Sequence, residues 1–289
     1  MSLRTASAEH VHDALGHRFS VEADHDVLAS AATELLRCLR VAPPPVPVPI
    51  HQYRITQAGG RLRLERDGVP LADAADAGQA LRFLLWHVTE AAMASVDRGL
   101  ALHAAAVDVG GQAIVLPGAS GAGKSTLAAA MALRGAGLLG DELTVIEPEG
   151  RAAHSLARAV GLKRGSWPLV PELGERVHPD VASLVADEWL VPPDRIGVVT
   201  TSAPVALIAF PLRVPGATPR LDRLGRNPAT RQLAAATFHL RERPAATLGV
   251  IDALARDGLC HLLIHDDLDA ACDLLLAVGS PVPSARLPA

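Results

Sequence analysis

The sequence predicts an α/β protein in which a small α+β region, residues 1–98, precedes a larger strand–loop–helix domain, residues 99–289. Three observations carry this. A glycine-rich loop stands between a β-branched apolar segment and a run of strong helix formers within residues 112–134. Apolar residues recur at helical spacing over residues 26–40 and 79–96. Alternating strand patterns flank a Gly-Gly pair at residues 59–60, a hairpin signal.

The elements follow in order. Residues 26–40 read as a helix, with Val27, Ala31, Leu35 and Leu39 on one stripe. The run Pro43-Pro44-Pro45-Val46-Pro47-Val48-Pro49 reads as an extended, polyproline-type connector. Tyr53-Arg54-Ile55 and Arg61-Leu62-Arg63-Leu64-Glu65 alternate as strands. Leu81, Leu84, Leu85, Val88, Ala92 and Val96 give residues 79–96 one apolar face, with His87 near it as a core or surface histidine. Residues 112–116 (QAIVL) read as a buried strand. Residues 127–134 (LAAAMALR) read as a helix, with Gly135 as its C-cap.

Between that strand and helix lies Gly118-Ala119-Ser120-Gly121-Ala122-Gly123-Lys124-Ser125-Thr126, which fits G-x-x-x-x-G-K-[ST]. Glycines let successive N–H groups turn into one concavity that suits phosphate oxygens. The following helix adds partial positive charge at its N-terminus. Lys124 is expected to reach the β- and γ-phosphates of ATP and to be solvent-accessible without nucleotide. The Ser125 hydroxyl is expected to ligate Mg²⁺.

Phosphoryl transfer needs a further acid near the metal and a base for the attacking hydroxyl. Residues 137–143 (GLLGDEL) place Asp141 and Glu142 after a short apolar segment that follows the loop's helix. Ligands gather at the carboxyl ends of parallel strands, so Asp141 is expected to share a crevice with Lys124. His103, in the apolar stretch ALHAAAV, is read either as a site residue or as a satisfied buried histidine. Lys163 and Arg164 follow a predicted strand at residues 157–162 and are candidate phosphate or acceptor contacts; Arg220 and Arg223 are alternatives. His261 and His265 share a strand face, without the acidic partners a metal site would want.

Composition excludes several classes. A net charge of −4 gives no reason to expect nucleic acid or an anionic membrane as partner. Three widely spaced cysteines make neither a zinc site nor a disulfide framework, and suit a reducing, cytoplasmic setting. No apolar run is long enough for a membrane span. Aromatics are 3% of the chain, so adenine is expected between aliphatic groups rather than on an aromatic platform.

The stretch LHAAAVDVGGQAIVLPGASGAGKSTLAAAMALRGAGLLGDELTVI resembles the catalytic domain of HPr kinase/phosphorylase. His103, the loop from Gly118 to Ser125, Arg134-Gly135 and Asp141-Glu142 match that family's motifs, with Ala104 and Glu142 where the family has Gly and Asp. The resemblance covers residues 100–147 and extends more weakly to about residue 280. It implies a P-loop HPr kinase/carboxykinase-like fold. It implies that Asp141 is the catalytic base toward a serine hydroxyl, assisted by His103, and that Ser125 and Glu142 hold Mg²⁺. The expected activity is ATP- and Mg²⁺-dependent transfer of a phosphoryl group to a protein or peptide acceptor, by analogy a ribosomal precursor peptide. Self-association into a homo-oligomer is a further partner expectation. A small-molecule kinase on the same scaffold and a nucleotide-binding regulator with little turnover are the alternatives.

Overall fold

A computed structural model describes residues 10–43, 48–149, 151–238, 240–242 and 244–279. The middle of the predicted proline connector, residues 44–47, lies outside them. The protein is mixed α/β. In chain order, the first residues form β1 (Val11–Ala14), β2 (His17–Ala23), α1 (Asp26–Leu35), β3 (Arg40–Val41), β4 (His51–Ala58), β5 (Arg61–Arg66), β6 (Val69–Ala74) and α2 (Ala77–Ala94). Next come β7 (Leu100–Val109), β8 (Gln112–Pro117), α3 (Lys124–Leu133), β9 (Gly137–Gly140), β10 (Leu143–Ile146) and β11 (Ala152–Ser155). The short elements β12 (Val160–Lys163), α4 (Pro179–Leu184), β13 (Glu188–Val191) and α5 (Pro193–Ile196) follow. The chain ends in β14 (Ser202–Arg213), β15 (Arg220–Arg223), α6 (Arg226–Ala236), α7 (Pro244–Arg256), β16 (Cys260–His265) and α8 (Leu268–Gly279).

These elements form two compact units. One contains residues 1–97 and 156–195; the other contains residues 98–155 and 196–289. A boundary near residue 98 is present, but the segment predicted to lie inside the larger domain at 156–195 groups with the N-terminal residues. Specific ties explain this. Ala159 N–H donates to the Leu35 carbonyl at 3.0 Å, capping the end of α1. Arg195 pairs with Glu34 at 2.6 Å and Arg37 with Asp194 at 3.0 Å. A Cβ at Gly78 would meet the Leu184 carbonyl oxygen at 2.3 Å, so α2 and the end of α4 approach too closely for any larger residue.

The first unit is built on a mixed sheet of order β3-β1-β2-β4-β5-β6, in which only β2 and β4 run parallel. The Gly59-Gly60 hairpin joins β4 to β5 with Ala58 opposite Arg61, and both glycines have positive φ. Phe19, Tyr53, Ile55 and Leu64 are fully buried under α1 and α2. β12 and β13 make a separate two-stranded ribbon, beside which the Trp167 and Trp189 rings stack at 4.7 Å.

The second unit has the sheet order β11-β10-β7-β8-β14-β16-β15, with β9 also paired to β7. β8, β14 and β16 are parallel, and the other pairings are antiparallel. β11 also pairs with the start of β14, closing the strands β10, β7, β8, β14 and β11 into a ring. α3 and α8 pack together, while α6 and α7 cover the sheet through Leu233, Ile251 and Leu254. α3 is nearly apolar all round, because Leu127 and the alanines 128–130 and 132 are buried. It ends in a Schellman motif: Ala136 N–H bonds the Met131 carbonyl, Gly135 N–H bonds the Ala132 carbonyl, and Gly135 has φ +99°. Arg134 then pairs with Asp269 and Asp273 of α8. Among the described residues, no helix is long and apolar enough to cross a membrane.

Candidate functional site

β7 organises the site. On one edge it pairs with β9 and then β10, in registers that put Gly140 opposite Ala106 and Leu143 opposite His103. The two residues between those strands, Asp141 and Glu142, therefore break the ladder beside Ala104 and Ala105. On its other edge the same two residues pair with Pro117 and Leu116, the end of β8. The acid pair and the mouth of the glycine-rich loop thus flank one short piece of β7, two strand spacings or about 10 Å apart at the main chain.

The loop leaves β8 at Gly118, whose N–H bonds the His103 carbonyl at 3.4 Å. Gly121 and Gly123 both have φ +86°, which costs an L-residue roughly 1–2 kcal/mol. Gly123 is the N-cap of α3, and the first helical bond runs from Leu127 N–H to its carbonyl. The amides of Lys124, Ser125 and Thr126 stand ahead of that bond, at the positive end of the helix dipole.

Lys124 is not open to solvent as expected; it is 5% exposed. Its side chain folds back over the loop, and Nζ donates to the Gly118 carbonyl at 2.8 Å and the Ala119 carbonyl at 3.0 Å. The ammonium thus spans the arch that the glycines make. Ser125 is half-buried at the start of α3.

Asp141 is 2% exposed, whereas the Glu142 side chain is 36% exposed. Glu142 Oε1 lies 3.3 Å from His103 Nε2, and the His103 side chain is partly open to solvent. Behind this pair, two buried hydroxyls clamp the strands. Thr144 Oγ1 donates to the Ala104 carbonyl at 3.0 Å, and Ser155 Oγ donates to the Leu143 carbonyl at 2.8 Å. The His103 ring also meets Phe238, with centres 5.7 Å apart.

The structure therefore brings His103, Glu142 and the loop together through β7. Lys163 and Arg164 belong to the other unit; Arg164 lies over the Trp167 ring, and Lys163 ends the β12 ribbon opposite Glu188. Arg220 and Arg223 are on β15, separated from β8 by β16 and β14, and Arg220 pairs with Asp222 at 3.1 Å. His261 and His265 are on β16, and Tyr53 O–H donates to the His87 carbonyl in the first unit. Thr144, Ser155 and Phe238 were not legible as site residues. Their contribution comes from strand register and a tertiary bridge, which leave no local motif.

The donor set fits a hard divalent cation that arrives with a nucleotide. The Ser125 hydroxyl and the Glu142 carboxylate are oxygen donors of the kind that Mg²⁺ takes. Among the described residues no group of three His, Cys, Asp or Glu side chains forms a metal cluster. Comparison with protein-family models and with curated proteins finds no match.

Proposed function

We propose that this protein is a P-loop phosphotransferase of HPr kinase-like type, which moves the γ-phosphoryl group of ATP to a hydroxyl, with serine of a protein or peptide as the acceptor. The observation that carries this reading is the meeting of three motifs on β7: the Gly118–Thr126 loop, His103 and Asp141-Glu142. A glycine-rich turn alone would leave the acids and the histidine unexplained.

In this reading the loop amides and the start of α3 hold the phosphates. Lys124 exchanges its carbonyl acceptors for phosphate oxygens and offsets the charge that develops on the transferring group. Ser125 and Glu142 would hold Mg²⁺, which supplies charge neutralisation at the phosphates. The acceptor oxygen attacks the γ-phosphorus, the bond to the bridging oxygen breaks, and ADP carries away that electron pair. Asp141 takes the acceptor's proton. His103 orders Glu142 and the open side of the site.

Incubation of the full chain with Mg²⁺ and γ-labelled ATP, with serine peptides and with small hydroxyl acceptors in separate arms, tests this. Transfer that depends on Lys124 and Asp141 supports it. Label reaching only small acceptors would favour the small-molecule kinase. The burial of Asp141 favours one competing reading, a nucleotide-binding regulator, because a base must meet its acceptor. Tight ATP binding with no transfer to any acceptor would select it.

A further inference from the structure

We propose, resting on the phosphotransferase reading, that Phe238 is a positioning residue for His103. The connection from α6 to α7 is fastened directly to β7. Thr237 bridges Leu102, and Phe238 N–H donates to the Ala101 carbonyl at 2.9 Å. Thr237 Oγ1 donates to the Leu233 carbonyl at 2.7 Å, finishing the last turn of α6, and Leu240 packs against the core beyond. Phe238 is therefore held by its own main-chain bond to β7 and by the bridged Thr237 before it.

Its ring centre lies 5.7 Å from that of His103, inclined at 43°. Aromatic rings attract at this separation and tilt. Histidine χ2 is a soft torsion with a broad minimum, so the ring needs packing to hold one orientation. Phe238 supplies that packing on one flank while Glu142 takes Nε2. Lys124 and Asp141 are buried, whereas His103, Glu142 and Phe238 are each partly open. These three share the open surface with the loop residues Ala119, Ser120, Gly121 and Gly123, which are exposed.

The test uses the full chain with Phe238→Ala and Phe238→Leu, and MgATP with water as the acceptor. Phe238→Ala should lower kcat for ATP hydrolysis about tenfold, the scale of a small misplacement of a site group, with KM for ATP within about twofold. Phe238→Leu, which keeps apolar packing, should recover most of the rate. Nitrogen-15 spectra of the His103 imidazole should change from one dominant tautomer to a mixture in Phe238→Ala and less so in Phe238→Leu. Should Phe238→Ala fail to fold, Phe238→Val, which removes the ring and shortens the side chain, takes its place with the same two readouts and the same overturning result. Wild-type kcat together with a wild-type His103 spectrum in folded Phe238→Ala overturns the positioning role. A wild-type protein that transfers phosphate neither to water nor to any hydroxyl acceptor fails the phosphotransferase reading instead, and the spectra still decide whether Phe238 orders His103.

Discussion

Lys124→Ala separates the loop's architecture from its chemistry. In the folded protein the ammonium donates to the carbonyls of Gly118 and Ala119, and the side chain is almost wholly covered. Those acceptors are half-buried and exposed respectively, so water replaces the lost donors. The cost to the fold is then about 1–2 kcal/mol rather than the sum of two buried bonds. The nucleotide has no such substitute, because Lys124 provides the cation already poised over the loop. A charge-assisted contact of about 3 kcal/mol corresponds to roughly a hundredfold loss of ATP affinity. Titration of MgATP by calorimetry, beside a thermal melt of the same preparation, reads both quantities. Unchanged ATP affinity would refute the loop's assignment. A collapse of the fold in the absence of nucleotide would refute the partition between architecture and chemistry.

Three further outcomes follow. Asp141→Asn keeps shape and removes charge at a buried position, so phosphoryl transfer should fall about a hundredfold or more with little change in ATP affinity; full rescue by raised Mg²⁺ would assign the residue to the metal instead. Gly123→Ala meets no neighbouring atom, so its cost is backbone strain alone, about 1–2 kcal/mol at φ +86°, read by denaturant titration and by weaker nucleotide binding; a neutral substitution would contradict the left-handed N-cap. Burial, with repulsion from His51 and Arg66, pushes the His17 pKa down to about 4. Its folded value lies below the unfolded one, so the unfolded chain binds the extra proton. The stability of the first unit is full above about pH 6.5 and falls as pH drops toward 4, by about 3 kcal/mol in all. A pH-melting series in which His17→Gln leaves that slope unchanged would reject this.

Much of the site was legible because its motifs are local. The loop needs glycines at fixed offsets, and Gly121 and Gly123 do adopt positive φ. The apolar 112–116 run is β8, and the helix formers after it are α3. The hairpin at Gly59-Gly60 and the strand carrying His261 and His265 also match their patterns. The helix read over 26–40 stops at Leu35 and tightens into a 3-10 turn at Arg37–Leu39, because Leu35 gives its carbonyl to Ala159 rather than continuing the ladder. The strand read at 157–162 starts later, at Val160. The burial of Lys124 was not legible, since a lysine at a helix start carries no sign of where its side chain folds. Nor was the allegiance of residues 156–195. Their apolar residues would satisfy a core in either unit, and the ion pairs that choose one, such as Arg195 with Glu34, join positions far apart in sequence.

That excursion has a consequence for how the chain is made. The strands at its two ends, β11 and β14, lie side by side in register, with His154 opposite Ser202, so the polypeptide departs and returns at neighbouring points. The first unit is consequently unfinished when residue 97 leaves the ribosome: α1 still lacks the Ala159 amide at its end and the Arg195 partner of Glu34. At about 5–20 residues per second, the missing segment arrives roughly 5–20 s later. By then β7, β8 and α3 have already been synthesised without β14 and β16, their parallel companions. Two half-built cores must coexist on the nascent chain, and the first has all its residues at 195, before the second receives β14 and β16.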